Sequence, residues 1–483
     1  MKHAFRSLLF LIFPAVLLAQ DIPFFTTDFP PEEFTQRRAQ MYEAIGPNAI
    51  AILQGAPSQQ GYVRFRQYNE FYYVCGIEVP HAYILLDGAQ KRATLYLPHR
   101  NDGRERSEGK VLSAEDADLI KQLSGVEAVL GSDLLAEALT RYARSTPVKT
   151  IYTPLSPPEG FAMSRDLAIR FNADVASDPF DGRTSREGHL VALVKERFPM
   201  FDVKDFTPIL DNLRLIKSPR ELQLIRKATR LGGLALIEGM RSTKPGIMEY
   251  ELDGMAKYIY YRNGAQGEAY YSLIQSGPNS LVGHYNAGKR KMLDGEMLLF
   301  DFAPDFGYYM SDVTRVWPVN GKFTAGQREL YNFYLACYRA ILKTIRPGVT
   351  AQAIKQEIIP EMEQILAKTK FSKPLYDEAA KRFVTSYKNG AANANTSLGH
   401  WVGMSTHDVG SYGGPLKPGM VFTIEPSLVV RDEKINIRLE DLIIITENGK
   451  EIVSDFVPME IDQIEKVMKE EGMLQRYPMD TKK

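Results

Sequence analysis

The chain has 483 residues, 44% of them hydrophobic and 24% charged, and its 59 basic residues balance its 59 acidic ones. That is the make-up of an ordinary soluble globular protein, long enough for two or three domains. A net charge of zero gives no reason to expect a nucleic acid or an acidic membrane surface as partner.

The first nineteen residues read as a secretory signal peptide, with Lys2, His3 and Arg6 ahead of an apolar run over 8–19 that only Pro14 interrupts. Cleavage after Ala19 would start the mature chain near Gln20 and place it in the periplasm or outside the cell. An uncleaved anchor is the alternative, but the run falls short of the ~20 residues a bilayer span needs. No later stretch is apolar enough for a membrane helix, so no membrane contact is expected after cleavage.

Residues 31–44 are helix-like and rich in charge. Residues 49–53, 71–74, 82–86 and 93–97 are short apolar or aromatic runs between turn residues, and predict strands. Residues 114–123 and 134–142 predict helices. A self-contained α/β domain over 20–205 follows, with 187–208 expected as the connection. Cys75 and Cys337 both sit in apolar runs and read as small buried hydrophobes rather than a disulfide.

The second domain, expected over 206–470 with a tail over 471–483, opens on Ser218-Pro219-Arg220-Glu221. This is a capping box with proline at the first helical position. Leu222, Ile225, Ala228, Leu231 and Leu234 then recur at helical spacing. A further helix is expected from about Met248 and another over 325–345. Strands are expected over 297–303, 311–319, 419–426 and 435–446. The fold class is α/β (α+β), two domains in series.

Five residues in this half read as metal ligands. Asp301 lies within the apolar run Leu298-Leu299-Phe300-Asp301-Phe302-Ala303, where a carboxylate is costly unless paired or on a metal. Asp312 follows eleven residues later, after the turn Pro304-Asp305-Phe306-Gly307, so a hairpin can set the two face to face. Pairing of Asp312 with Arg315 is the local alternative. His400 and His407 are flanked by glycines, as is His284. A lone imidazole among apolar residues is more often a satisfied core group, but three in such settings beside carboxylates favour a site. Glu425 closes an apolar strand before Pro426. Glu440 sits among Ile437, Leu439 and Leu442, and a buried Arg438–Glu440 pair is its alternative. Four carboxylates and an imidazole suit two divalent ions, Mn²⁺ first, with Co²⁺ or Zn²⁺ as alternatives. Such a pair of ions is a hydrolytic device.

Together these stretches resemble the pita-bread metallopeptidases, in their Xaa-Pro aminopeptidase (aminopeptidase P) branch. Gly283-His284-Tyr285, Asp301-Phe302-Ala303 and Ser311-Asp312-Val313-Thr314-Arg315 carry the first block. Gly399-His400 with His407-Asp408-Val409-Gly410 carry the second, Pro418 to Pro426 the third, and Ile437-Arg438-Leu439-Glu440-Asp441 the fourth. Arg66-Gln67-Tyr68-Asn69-Glu70-Phe71-Tyr72-Tyr73 and Gly76 resemble the branch's N-terminal domain. The resemblance implies that Asp301 holds one ion, that Asp312 and Glu440 bridge two, and that His400 and Glu425 hold the other. Glu425 would also shuttle a proton, His284 and His407 would bind substrate and stabilise the oxyanion, and Arg438 would orient the bridging carboxylate or the substrate. Peptides with proline in second position would be the substrates, and the protein a homo-oligomer, dimer or tetramer. A prolidase-like dipeptidase is a close rival, and a catalytically silent binding module on the same fold a more distant one. The family usually has a histidine where Thr396 stands. Its loss implies slower turnover, to be raised by Thr396→His.

Overall fold

The computed structural model describes residues 28–145 and 147–477. The expected leader 1–19 lies outside them, as do residues 478–483 of the expected tail.

The front domain is built on a six-stranded sheet in the order β4-β3-β2-β1-β5-β6. Its strands are β1 (Ala49–Gln54), β2 (Tyr83–Asp87), β3 (Arg92–Leu97), β4 (Ala128–Gly131), β5 (Thr150–Thr153) and β6 (Asp202–Asp205). The middle three form an antiparallel meander, and β4, β5 and β6 add in parallel. Both faces are covered. Ala49, Ala51 and Leu53 of β1 enter one apolar cluster, while Ile50 and Ile52 enter the cluster on the other side. Alternate side chains leave a strand on opposite faces, so an unbroken apolar run is what a doubly covered strand needs. The covering helices are α1 (Pro31–Ile45), α2 (Asn69–Cys75), α4 (Ala117–Ser124), α5 (Leu135–Ser145) and α7 (Arg186–Arg197), while α3 (Asp102–Glu108) and α6 (Arg165–Ser177) place no residue in either cluster.

Two expectations are corrected here. Residues 71–74 are not a strand: they lie in α2, all seven residues of which are buried. Burial on every side erases the periodicity that marks a helix. Gly76, left-handed at φ 68°, closes it. Residues 187–208 are not a bare connection, because they contain most of α7 and all of β6. Among the described residues, strand β6 pairs only with β5, and it alternates exposed with half-buried positions, so its aspartates and lysine suit a sheet edge.

The second domain follows through α8 (Thr207–Leu215), α9 (Pro219–Ser242) and α10 (Glu249–Arg262). The Ser218 hydroxyl accepts from Glu221 N at 3.3 Å while the Glu221 carboxylate accepts from Ser218 N at 2.8 Å. Next come β7 (Gly267–Glu268), β8 (Leu273–Ser276), β9 (Met297–Asp301), β10 (Pro304–Asp305) and β11 (Thr314–Pro318). Strands β11-β9-β8 form one antiparallel sheet. Helix α9 lies close against it, since a Cβ on Gly239 would sit 2.8 Å from the Phe300 ring. Helices α11 (Ala325–Thr344), α12 (Ala351–Lys368) and α13 (Pro374–Ala391) lead to β12 (Val421–Ile424), β13 (Ser427–Val430), β14 (Ile435–Arg438), β15 (Asp441–Thr446) and β16 (Gly449–Ile452). The strand expected over 435–446 is therefore two strands, broken at Leu439-Glu440. Isolated bridges Thr314↔Glu440 and Trp401↔Phe422 draw the sheet edges together.

One apolar cluster spans both domains. Tyr308, Val402, Met404 and Leu442 of the second pack in the same cluster as Phe34, Tyr72 and Leu86 of the first. Cys75 and Cys337 are free and buried. Among the described residues, no helix is long and apolar enough to cross a membrane.

Candidate metal centre

Asp301 is the last residue of β9, where it pairs with Thr314 of β11 on one side and Leu273 of β8 on the other. The chain then turns through Gly307 and Tyr308, both at positive φ. For tyrosine this conformation is strained, and the front domain holds it. The Tyr308 ring stacks on Tyr72 at 3.6 Å, its hydroxyl accepts from Gln67 N at 2.8 Å, and Arg66 donates to neighbouring Asp305 at 2.7 Å. The motif at 66–73 thus grips the turn between the two aspartates. On the return path Asp312 stands opposite Asp301, and the Tyr270 hydroxyl lies 2.5 Å from an oxygen of each. Asp312 does not pair with Arg315, which donates to Asp441 at 2.6 Å.

The break at Leu439-Glu440 turns Glu440 into the same space. One of its carboxylate oxygens accepts from Thr314 Oγ1 at 2.6 Å, and the other is buried with no hydrogen-bond partner among the described residues. Arg438 does not pair with Glu440; its guanidinium contacts Asp301 and lies 3.7 Å from Glu425. His400 Nε2 is 3.4 Å from both Asp312 and Glu425 and 3.9 Å from Glu440. Its loop lies against β12, where a Cβ on Gly399 would fall 2.0 Å from Thr423 O, so only glycine fits. Ligand atoms of Asp312, His400 and Glu440 all lie within 4.8 Å of one another.

Burial, followed by the charge of Asp301 and Glu425, drives Asp312 well above the usual carboxylate range. Burial and then Asp312 do the same to Glu440. Carboxylates this close and this dry cannot all ionise without a cation among them. Four oxygen donors, an imidazole and an orphaned buried oxygen fit divalent metal well.

The five expected ligands thus converge, and a cavity of about 140 Å³ opens over them. His284 and His407 both line it. The His407 ring sits 4.3 Å from that of His400, and burial followed by His400 lowers its pKa, favouring the neutral form. Thr396 does not line this cavity. It faces a narrow adjoining crevice with Leu398, Trp401 and Tyr412, and accepts from Lys355 Nζ at 2.8 Å. The expectation that residue 396 faces the substrate is corrected accordingly.

Sequence reading missed several participants. Tyr270 and Thr314 touch the ligand carboxylates, and Asp166 and Arg170 of α6 bring a wall of the cavity from the front domain. Behind it, Arg214 donates to Glu159 and Asp408 at 2.6 Å each, and Lys217 to Asp408 at 2.9 Å, fixing the segment that carries His407.

Comparison with known proteins agrees with this geometry. The profile of metallopeptidase family M24 matches residues 223–447, and that of the aminopeptidase P N-terminal domain matches residues 34–152. The chain is 28% identical over 462 residues to a Xaa-Pro aminopeptidase of Haemophilus influenzae, covering 91% of this chain and 97% of that protein. It is 26% identical to human Xaa-Pro dipeptidase over 489 residues, 89% and 91% of the two chains. The structure of E. coli aminopeptidase P with the inhibitor Pro-Leu superposes with a TM-score of 0.72 at 27% identity, covering 91% of this chain and 98% of that one. The chain belongs to the aminopeptidase P branch of metallopeptidase family M24, an aminopeptidase P N-terminal domain preceding a pita-bread catalytic domain.

Proposed function

We propose that this chain is an exported dimetal aminopeptidase that hydrolyses the peptide bond between an N-terminal residue and a following proline. The observation that carries the reading is the convergence of buried Asp301, Asp312 and Glu440 with half-buried His400 and Glu425 under a small cavity. Asp301 would hold one ion, His400 and Glu425 the other, and Asp312 and Glu440 both. Mn²⁺ is the first candidate, ahead of Co²⁺ and Zn²⁺. When bound, the ions supply Lewis acidity and hydroxide at neutral pH.

The rest falls to the chain's own side chains. Glu425 is the most exposed carboxylate of the set, at 27%, and so is placed to take a proton from the attacking water and pass it to the proline nitrogen as the C–N bond breaks. His284 and His407 face the cavity as donors to the carbonyl oxygen, on which negative charge develops. Arg438 holds Asp301 and Glu425 in place.

A digest of a peptide library with added Mn²⁺ tests the reading. Release of single N-terminal residues from Xaa-Pro peptides, lost in chelator, is the expected result, and no release overturns it. The resemblance to human Xaa-Pro dipeptidase supports a second reading, in which Xaa-Pro dipeptides are cut and tripeptides are not. Intact ligands argue against a silent binding module. Assembly into a dimer or tetramer belongs to the same reading, and light scattering would measure it. Export predicts a native protein beginning near Gln20, and mass spectrometry finding Met1 on a cytosolic form would exclude it.

A further inference from the structure

The wall that the front domain lends to the cavity carries a charge the hydrolytic cluster does not use. Ala162 turns at φ 48°, and α6 then starts at Arg165 with Asp166 and Arg170 both lining the cavity. Asp166 is engaged, touching Ser164 and lying 3.6 Å from His407. Arg170 is exposed and, among the described residues, makes no hydrogen bond or ion pair. It ignores Asp166 one turn away, although that spacing permits an ion pair. The cavity's other guanidinium, Arg438, is committed to Asp301 and Glu425.

At about 140 Å³ the cavity is smaller than the ~300–1,000 Å³ of typical ligand sites, so it encloses only the first residues of a peptide. The end of a short peptide therefore lies at its mouth. An uncommitted guanidinium there offers a planar fork that matches a carboxylate and not an amide. We infer that Arg170 is a specificity-determining residue that binds the C-terminal carboxylate of short peptide substrates. The inference rests on the aminopeptidase reading and adds a preference for free tripeptides over capped or longer chains.

Two matched tripeptides test it, Ala-Pro-Ala as free acid and as C-terminal amide, with kcat and KM measured for the wild type, Arg170→Gln and Arg170→Lys. The wild type should favour the acid about ten-fold in kcat/KM, the scale of one charge-assisted hydrogen bond, with the difference in KM. Arg170→Gln should bring the acid down to the amide's level and leave the amide unchanged, while Arg170→Lys keeps part of the preference. No preference in the wild type, or an equal loss on both peptides, overturns the inference. Calorimetry with Pro-Ala and its amide on the Mn²⁺-loaded full chain gives an independent readout. If neither tripeptide is cut, the aminopeptidase reading falls. Arg170 is then judged on binding alone: tighter binding of the acid only when Arg170 is present supports the inference, and equal or absent binding overturns it.

Discussion

Four carboxylates, Glu70, Glu159, Asp211 and Asp408, gather where the two domains meet, and four others, Asp301, Asp312, Glu425 and Glu440, gather beneath the cavity. The first group faces Arg165, Arg214 and Lys217 at 2.6–3.2 Å. Among the described residues, the second faces one guanidinium, that of Arg438, and the His400 ring. At the domain interface the cations win over burial at Asp408 and Glu159, which are held below the usual carboxylate range, while burial pushes Glu70 and Asp211 up. Beneath the cavity burial and mutual repulsion win, and Asp312 and Glu440 are driven up. A nearly balanced cluster, three cations for four carboxylates, holds a structure together; one with a single guanidinium for four carboxylates waits for a cation. Charge balance, more than burial, tells the two kinds of site apart.

The sharpest way to break this contrast is to remove one carboxylate from the unbalanced cluster. Glu440→Gln should cut kcat/KM by more than ~10², exceeding the loss typical of outer-shell partners, and chelator should do the same to the wild type. In metal-free protein the same substitution should raise Tm, because a repelling charge leaves a buried site. Near-normal turnover, or a lower metal-free Tm, would mean that Glu440 is structural.

The balanced cluster should answer in the opposite sense. Arg214 is fully buried and its loss would strand Glu159 and Asp408. Arg214→Met should therefore cost about 3–5 kcal/mol in a urea titration. It should leave Mn²⁺ affinity nearly unchanged, since no ligand touches Arg214. A loss under ~1 kcal/mol, the scale of an exposed pair, would show that the interface charges are not interdependent.

A subtler asymmetry lies within the balanced cluster. Burial, followed by the charge of Glu159, pushes Glu70 up to about 7, above its ordinary 4.5. Between those values the folded chain holds a proton that the unfolded chain has released. The contribution is thus complete below pH 4.5 and is lost as pH rises to about 7. With saturating Mn²⁺ throughout, the wild type should lose Tm between pH 5 and 7.5, and Glu70→Gln should lose less. Equal slopes would place the proton elsewhere.

The unbalanced cluster was legible in the sequence, and the balanced one was not. Asp301 and Glu440 stand out because each interrupts an apolar run, and a carboxylate there needs a local reason. Glu159 and Arg214 interrupt nothing; their meaning comes from each other, 55 residues apart, and from Asp408, a further 194 along. The fold shows the same division. Strand β1 announces itself, whereas α2 is buried on all sides and loses its helical period, and the edge strand β6 has too little apolar surface to declare itself. Arg66 to Tyr73 was readable as a motif, but that it clamps the turn between the two metal-side aspartates emerges only once the domains are docked.

Thr396 tests where the cavity's influence ends. Its hydroxyl accepts from Lys355 Nζ at 2.8 Å, and Lys355 is half-buried, with its pKa lowered by that burial. Thr396 lines a crevice beside the cavity, and the space around the pair is tight: a Cβ on Gly390 would lie 2.9 Å from the Lys355 ammonium and 3.5 Å from the Thr396 hydroxyl. An imidazole at 396 would have to displace the lysine before it could reach forward. Thr396→His should therefore not raise kcat/KM on an Xaa-Pro tripeptide. It should cost roughly 1 kcal/mol of stability, the scale of a lost hydrogen bond. Thr396→Ser keeps the acceptor and should cost less. A ten-fold gain in kcat/KM for the histidine variant would mean that the crevice opens into the cavity during turnover, and that the residue four before His400 reaches the substrate after all.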